Sequence, residues 1–337
     1  MTITSLAGAP DALLRAAHAV QRDHDLRLYP DDVPVTWAEF EHLSQHDRRD
    51  DNDHQWEVVV DDAGEPVVVL HVEIERSDEN DHVLVYEMWG HHDRPDATAE
   101  AMARLVEIAR AENRRLIWAW TPLAEPDITI WGDYGMASKL VERESLLVLD
   151  QVDPTLMQQW IDRRAERAGD IRIVRWTSHA PDEHLEAFAA SRTQMNDAPT
   201  DDLEVNDALI TADEVRRDEA ARVAMGTEVR TIMALAPDGT SAGHTTVHVN
   251  DHRPSESWQW DTVTIPAFRG RGIGRFLKAA MWQWLRADRP DVTRLRTGNA
   301  ESNDAMLSIN VAMGFREDAK WAVYSAETDT IAARLAD

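Results

Sequence analysis

One spacing constrains this chain more than any other feature: stretches of it recur 179 residues on, RLRTGN (residues 294–299) falling on RLIWAW (115–120). At the same offset Gly314 falls on Gly135, and DTVTI (261–265) falls on HVLVY (82–86). RFLKAAMWQWLRAD (275–288) falls on DATAEAMARLVEIA (96–109), with Met281 over Met102. A period this long means two copies of one domain, because solenoid units repeat every ~20–50 residues. The 337 residues also suit two domains of about 150 each. The expected division is 1–150, a connecting helix over 151–169, and 170–337.

Each copy reads as a mixed α/β (α+β) fold, a mostly antiparallel sheet flanked by helices. In the second copy TEVRTIMALA (227–236) and GHTTVHVN (243–250) are strand-like and joined by PDGTSA, a hairpin signal. QWEVVVDDAGEPVVVLHVEIE (55–75) repeats that hairpin in the first. The strand WQWDTVTI then leads into a glycine-rich segment, a helix, the strand VTRLRTGN, a short helix closed by Gly314, and a last strand, KWAVYSA.

With no cysteine, disulfides, thiolate metal sites and cysteine nucleophiles are excluded. No apolar run approaches the about 20 residues that span a bilayer. The opening MTITSLAGAPDALLRAAHAV lacks the basic start and apolar centre of a signal peptide, so a cytoplasmic protein is expected. The formal charge of −27 repels phosphate backbones over most of the surface and argues against nucleic acid as a partner. It suits a cationic small molecule, although solubility alone also accounts for it.

The segment IPAFRGRGIGRFLKAAMWQWL (265–285) carries the chemistry. A strand that turns tightly into a helix offers unpaired amides at a positive helix end, which suits a phosphate or pyrophosphate. Glycines allow left-handed backbone there, and Arg269, Arg271 and Arg275 add charge-assisted hydrogen bonds. It is not a P-loop, since Lys278 has neither the spacing nor a following Ser/Thr. It is not a Rossmann fingerprint, since Arg275 replaces the third glycine. It does fit R/Q-x-x-G-x-G/A as Arg269-x-x-Gly272-x-Gly274.

With its preceding strand, following helix, the strand RLRTGN, Asn303 and MGF (313–315), this region resembles the GNAT superfamily of acetyl-CoA-dependent N-acetyltransferases. MNDAP (195–199) and TGNAESNDAMLSINVAMGF resemble its tandem two-domain type in actinobacteria. The resemblance implies two GNAT-like acyl-CoA N-acyltransferase domains and acetyl-CoA as co-substrate. It implies acetyl transfer to the primary amine of a small molecule, by a monomer or homodimer. The amides of Gly270, Arg271, Gly272, Ile273, Gly274 and Arg275, with Arg269, would hold the CoA pyrophosphate. Val263, Thr264 and Ile265 would bind the pantetheine arm.

At the offset, Arg269, Gly272 and Gly274 become Gly90, Asp93 and Pro95. An aspartate opposes an anion and a proline removes an amide, while Pro95 still suits a helix start. The first copy is therefore expected to keep the fold and lose the anion site; a metal at His91, His92 and Asp93 is a lesser reading than a plain loop. Asp261, eight residues before Arg269, stands where many GNAT members carry a carboxylate and is the implied general base. Glu256 and Gln259 are close by on the same strand; alternation leaves their facing open, and a β-bulge would reverse it.

The family's acid, a tyrosine four residues before the glycine of GF, is here Asn310, and an amide cannot protonate a thiolate. Tyr324 or solvent is the substitute, and a non-catalytic acetyl-CoA-binding protein stays open as an alternative. Asn303 either nears the CoA sulfur arm or caps its helix. His244 and His248 share a strand face without a third spaced zinc ligand, so no metal is expected. His244 and Gln259 instead line the acceptor pocket. The acidic stretch NDAPTDDLEVND (196–207), Asp197 foremost, either attracts the amine or is a solvated charge run.

Overall fold

The computed structural model describes residues 1–337 except 31, 46–51, 77, 78, 92, 93, 125–128, 168 and 337. The chain forms two compact units. One comprises Met1–Val141, Thr200–Asn206 and Ala319–Asp337; the other comprises Glu142–Pro199 and Asp207–Asp318.

In chain order the first half runs β1 (Thr2–Ser5), α1 (Asp11–Leu28), α2 (Trp37–Ser44), β2 (Asp53–Val60), β3 (Pro66–Ile74) and β4 (Val83–Trp89). It continues with α3 (Pro95–Ala111), β5 (Leu116–Pro122), α4 (Ile130–Asp133) and β6 (Ala137–Val148). The second half runs α5 (Pro154–Arg167), β7 (Arg172–Thr177), α6 (Asp182–Thr193), α7 (Ala212–Ala224), β8 (Thr227–Leu235) and β9 (Ser241–Asn250). Then come β10 (Glu256–Thr264), α8 (Ile273–Asp288), β11 (Arg294–Ala300), α9 (Asp304–Met313), β12 (Arg316–Glu327) and α10 (Thr328–Ala336).

The first unit's sheet has the order β1-β2-β3-β4-β5-β12, and the second's β6-β11-β10-β9-β8-β7. β4–β5 and β10–β11 run parallel, each pair bridged by a helix, α3 or α8, as a parallel pair requires. The units are not the two consecutive stretches that a cut near 150 suggests. Val148 to Glu142 of β6 pair with β11 of the second unit, whereas Trp321–Glu327 of β12 pair with β5 of the first. Each copy's last strand thus completes the other copy's sheet.

The repeat also contains a length change that an ungapped offset hides. The connection between strand and helix is residues 90–94 in the first unit and 265–272 in the second. Helix α3 begins at Pro95, with Arg94 (φ −134°) as its cap, where α8 begins at Ile273 with Gly272 (φ +81°). The helices themselves keep the offset, with Ala97, Met102, Leu105 and Val106 buried where Phe276, Met281, Trp284 and Leu285 are, so the length change lies in the connection and 82–86 is not the partner of 261–265. Asp93 lies outside the described residues. His91, also expected on an open loop, is buried, with its ring against Trp131.

Helix α8 buries Ile273, Phe276, Leu277, Met281, Trp284 and Leu285, an i, i+3, i+4 stripe that faces the second unit's core. Lys278 is buried with them, its Nζ 5.3 Å from the centre of the Phe315 ring. Burial pushes its amine down to about 7. The unfolded chain then binds more protons than the folded one between pH ~7 and ~10, so this residue weakens the fold most below pH 7 and ceases to as pH rises. Lys278→Met is expected to melt several degrees above wild type at pH 6, with the gap closing by pH 9; equal gaps at both would refute the assignment. No helix among the described residues is long and apolar enough to cross a membrane.

Candidate functional site

The glycine turn has left-handed backbone and free amides at a helix start. Gly270 and Gly272 both take left-handed backbone, φ +77° and +81°, and an added Cβ would meet nothing within 4 Å at either. Their requirement is therefore torsional, not steric. The first amide of α8 with a helical partner is that of Phe276, bonded to the Gly272 carbonyl at 3.0 Å. The preceding amides lie at the positive end of a 16-residue helix, which fits a pyrophosphate. Arg271 and Arg275 stand over Phe268 and Trp160, at 5.2 and 5.6 Å. Arg269 is already engaged: its Nη2 donates to Asp197 at 2.6 Å and its Nε to the Thr264 carbonyl at 3.2 Å.

At Gly274 an added Cβ would meet Ile309 and Thr264 only at 3.5 Å, ordinary contact, which explains why glycine or alanine satisfies the pattern here. Gly274→Ala is expected to leave acetyl-CoA affinity near wild type and to raise the melting temperature slightly, because alanine is the better helix former by about 1 kcal/mol. A calorimetric titration beside a thermal melt checks both; lost affinity would mean that the anion packs on Gly274 itself.

Strand β10 pairs with β11 only from Glu256 to Trp258, so residues 263–265 keep one edge open. Their other edge is bonded to β9: Val263 is opposite His244, Thr264 opposite Gly243, and Ile265 N–H reaches the Ala242 carbonyl at 3.1 Å. Between Gln259 and Thr262 the β9–β10 register slips, the bulge that the sequence left open. The slip aims Trp260 outward, 46% exposed, and Asp261 inward, 9% exposed.

Asp261 lines a small cleft with Trp176, Arg192, Asp218, His248 and Trp260. Its Oδ2 is 3.7 Å from His244 Nε2 and 3.8 Å from Arg192 Nε. Burial pushes the carboxyl up, but His244, Arg192 and His248 together outweigh it and hold the group below its ordinary range. Arg192 is shared with Asp218, at 3.0 Å. His248 stacks on Trp260, and burial, with Arg222 nearby, pushes it down to about 3.

Other expected site residues have different neighbours. Gln259 donates to Thr245 Oγ1 and the Thr246 carbonyl at 2.9 and 2.7 Å, so both amide protons tie the bulge together. Glu256 is ion-paired with Arg294 and Arg296. Asp197 is paired with Arg269, and Glu204 of the acidic stretch with Arg115, each carboxylate remaining about half exposed. Asn303 Oδ1 accepts from Met306 N–H at 3.2 Å, the cap rather than the sulfur-arm contact. Asn310 is buried and donates to Asn299 Oδ1 at 2.8 Å, while its own Oδ1 has no partner among the described residues. Tyr324 lies in the part of β12 that belongs to the first unit, opposite Ala119 and packed against that unit's core.

The sequence reading missed three cleft residues, Trp176, Arg192 and Asp218, and the buried Ser191 beside His244. They sit on β7, α6 and α7 and share no motif. It also missed Glu142 on β6, whose carboxylate lies beside Gly298 and whose pKa is pushed up to about 6 by burial and by Glu144.

Residues 195–315 match the profile of the Acetyltransferase (GNAT) family. No curated protein matches the chain. Among solved structures it is similar to a tandem GNAT protein from the clavulanic acid biosynthesis pathway, at 20% identity, covering 97% of this chain and 98% of that one, TM-score 0.77. A GCN5-related N-acetyltransferase from Sphaerobacter thermophilus matches at 12% identity, 97% and 96% coverage, TM-score 0.67. A glucosamine N-acetyltransferase region of a fungal multi-domain β-N-acetylglucosaminidase matches at 12% identity, over 96% of this chain and 38% of that one, TM-score 0.66. At these identities the likeness concerns fold, not substrate.

Proposed function

We propose, because residues 195–315 form a GNAT acetyltransferase domain in a chain of tandem GNAT fold, that the second unit moves an acetyl group from acetyl-CoA to the primary amine of a cytoplasmic small molecule. One observation carries this reading: a single strand, β10, bears a buried carboxylate at its bulge and runs directly into an anion-binding turn. The first unit has neither the left-handed cap nor a bulge in the β3–β4 register, and its role is to support the second.

Acetyl-CoA supplies an activated acyl carbon and a thiolate leaving group. The amides of residues 270–275 would hold its pyrophosphate, and the open edge of 263–265 would align its amide-bearing arm. Asp261 would hold the substrate nitrogen in the cleft, orient it once water has taken the ammonium's first proton, and take the second proton that the neutral nitrogen loses on attack. Arg192 bridges Asp261 and Asp218. Asn310 cannot give a proton to the departing thiolate, so solvent does.

Calorimetry with acetyl-CoA, followed by a panel of primary amines assayed for free thiol, tests the reading. One site per chain with turnover of an amine is the expected result. Binding without turnover of any amine would leave the non-catalytic alternative, and two sites would contradict the account of residues 90–95.

A further inference from the structure

A buried chain of hydroxyls starts at a backbone amide and ends on the imidazole beside Asp261. Gly243 N–H donates to Ser241 Oγ at 3.1 Å, Ser241 Oγ–H donates to Ser191 Oγ at 3.0 Å, and Ser191 Oγ lies 2.7 Å from His244 Nδ1. His244 is fully buried, edge-on to Phe188, and only its Nε2 faces Asp261.

The polarity of this chain follows from where its hydroxyl protons can go. Ser241 accepts from the Gly243 N–H, and Ser191 Oγ is the acceptor its own proton reaches among the described residues. Ser191 then donates to Nδ1. In the reverse sense, with Nδ1–H donating, the chain would end on a Ser241 proton that has no acceptor among the described residues. A neutral imidazole whose Nδ1 accepts carries its proton on Nε2.

We infer that Ser191 and Ser241 are positioning residues that hold His244 as the Nε2–H tautomer, aimed at Asp261, so that a neutral dipole and not a cation supports the base. The distinction matters to a cationic substrate. An imidazolium beside Asp261 would repel an arriving ammonium, whereas an N–H dipole stabilises the carboxylate without opposing the substrate's charge. The full cation near Asp261 is Arg192 from α6, already shared with Asp218; His244 and His248 from β9 are the other titratable groups facing it.

This inference rests on Asp261 being the base, but its test needs no substrate. Ring-nitrogen NMR of the full chain with isotope-labelled histidine reads the tautomer of His244 directly. In wild type the proton is expected on Nε2 alone. Ser191→Ala should populate both tautomers and move the titration of the Asp261 carboxyl carbon to higher pH, and Ser191→Thr should restore both. Ser241→Ala should shift them in the same direction by less. A wild-type His244 protonated on Nδ1 overturns the inference, as does a Ser191→Ala chain with tautomer and titration unchanged. Should Ser191→Ala fail to fold, the wild-type spectrum and Ser241→Ala decide. The stated tautomer in a chain that acetylates nothing would keep the hydroxyl chain and sink the proposed function instead.

Discussion

Gly272→Asp is expected to abolish acetyl-CoA binding in calorimetry while the chain still folds. Two effects act at that position, and Gly272→Ala separates them. Gly272 sits at φ +81° with open space where a Cβ would go, so alanine meets only the left-handed torsion, which costs ~1–2 kcal/mol. Aspartate tolerates that torsion better, yet it sets a carboxylate among the amides that would face a pyrophosphate. Like charges so placed cost several kcal/mol, which lowers affinity by more than about a hundredfold. The expected order is therefore wild type, then alanine, then aspartate far below both, with thermal stability nearly equal in the last two. The same titration in higher salt should recover part of the aspartate loss and none of the alanine loss, since only the first is electrostatic. Binding by Gly272→Asp as tight as by wild type would remove the turn from the cofactor site.

How much of this was legible in the sequence depended on how local each feature is. The turn was legible because its glycines, arginines and following apolar stripe are adjacent along the chain. Helices α3 and α8 aligned for the same reason. The strands before them did not: a period-2 apolar pattern matches itself at several registers, so 82–86 fitted 261–265 although the two connections differ in length. The exchange of β6 and β12 was invisible, because which strand completes which sheet is settled by pairing over long separations. Asp197 shows the same limit, since its ion pair with Arg269 joins residues that only folding brings together. Asn303 was legible as a cap: it stands three residues before Met306, and its amide oxygen is the atom that can accept that N–H. Ser191 carried no signal at all until β9 lay beneath α6.

The companion result concerns chemistry: Asp261→Asn should lower kcat/KM for whichever amine is turned over by about 10²–10⁴-fold, the usual contribution of a general base, with acetyl-CoA affinity unchanged. The amide keeps the size and the hydrogen-bonding reach of the carboxyl, so packing around the bulge survives and the loss is one of charge and basicity. The pH dependence adds a second constraint. Asp261 titrates below its ordinary range, because His244, Arg192 and His248 outweigh the effect of burial, so it is ionised throughout the neutral region. An alkyl ammonium titrates near 10, as lysine does at about 10.4. A carboxylate so far below it cannot strip that proton in the ground state; the ammonium loses one proton to water before it can attack, and Asp261 takes the next only as attack by the neutral nitrogen makes it acidic. Wild-type kcat/KM should then climb steadily with pH toward the amine's own titration, and the asparagine variant should run parallel and lower. An inflection near pH 6 that survives in Asp261→Asn and vanishes in Glu142→Gln would assign the base instead to Glu142, whose carboxyl is pushed up to about 6 by burial beside Glu144.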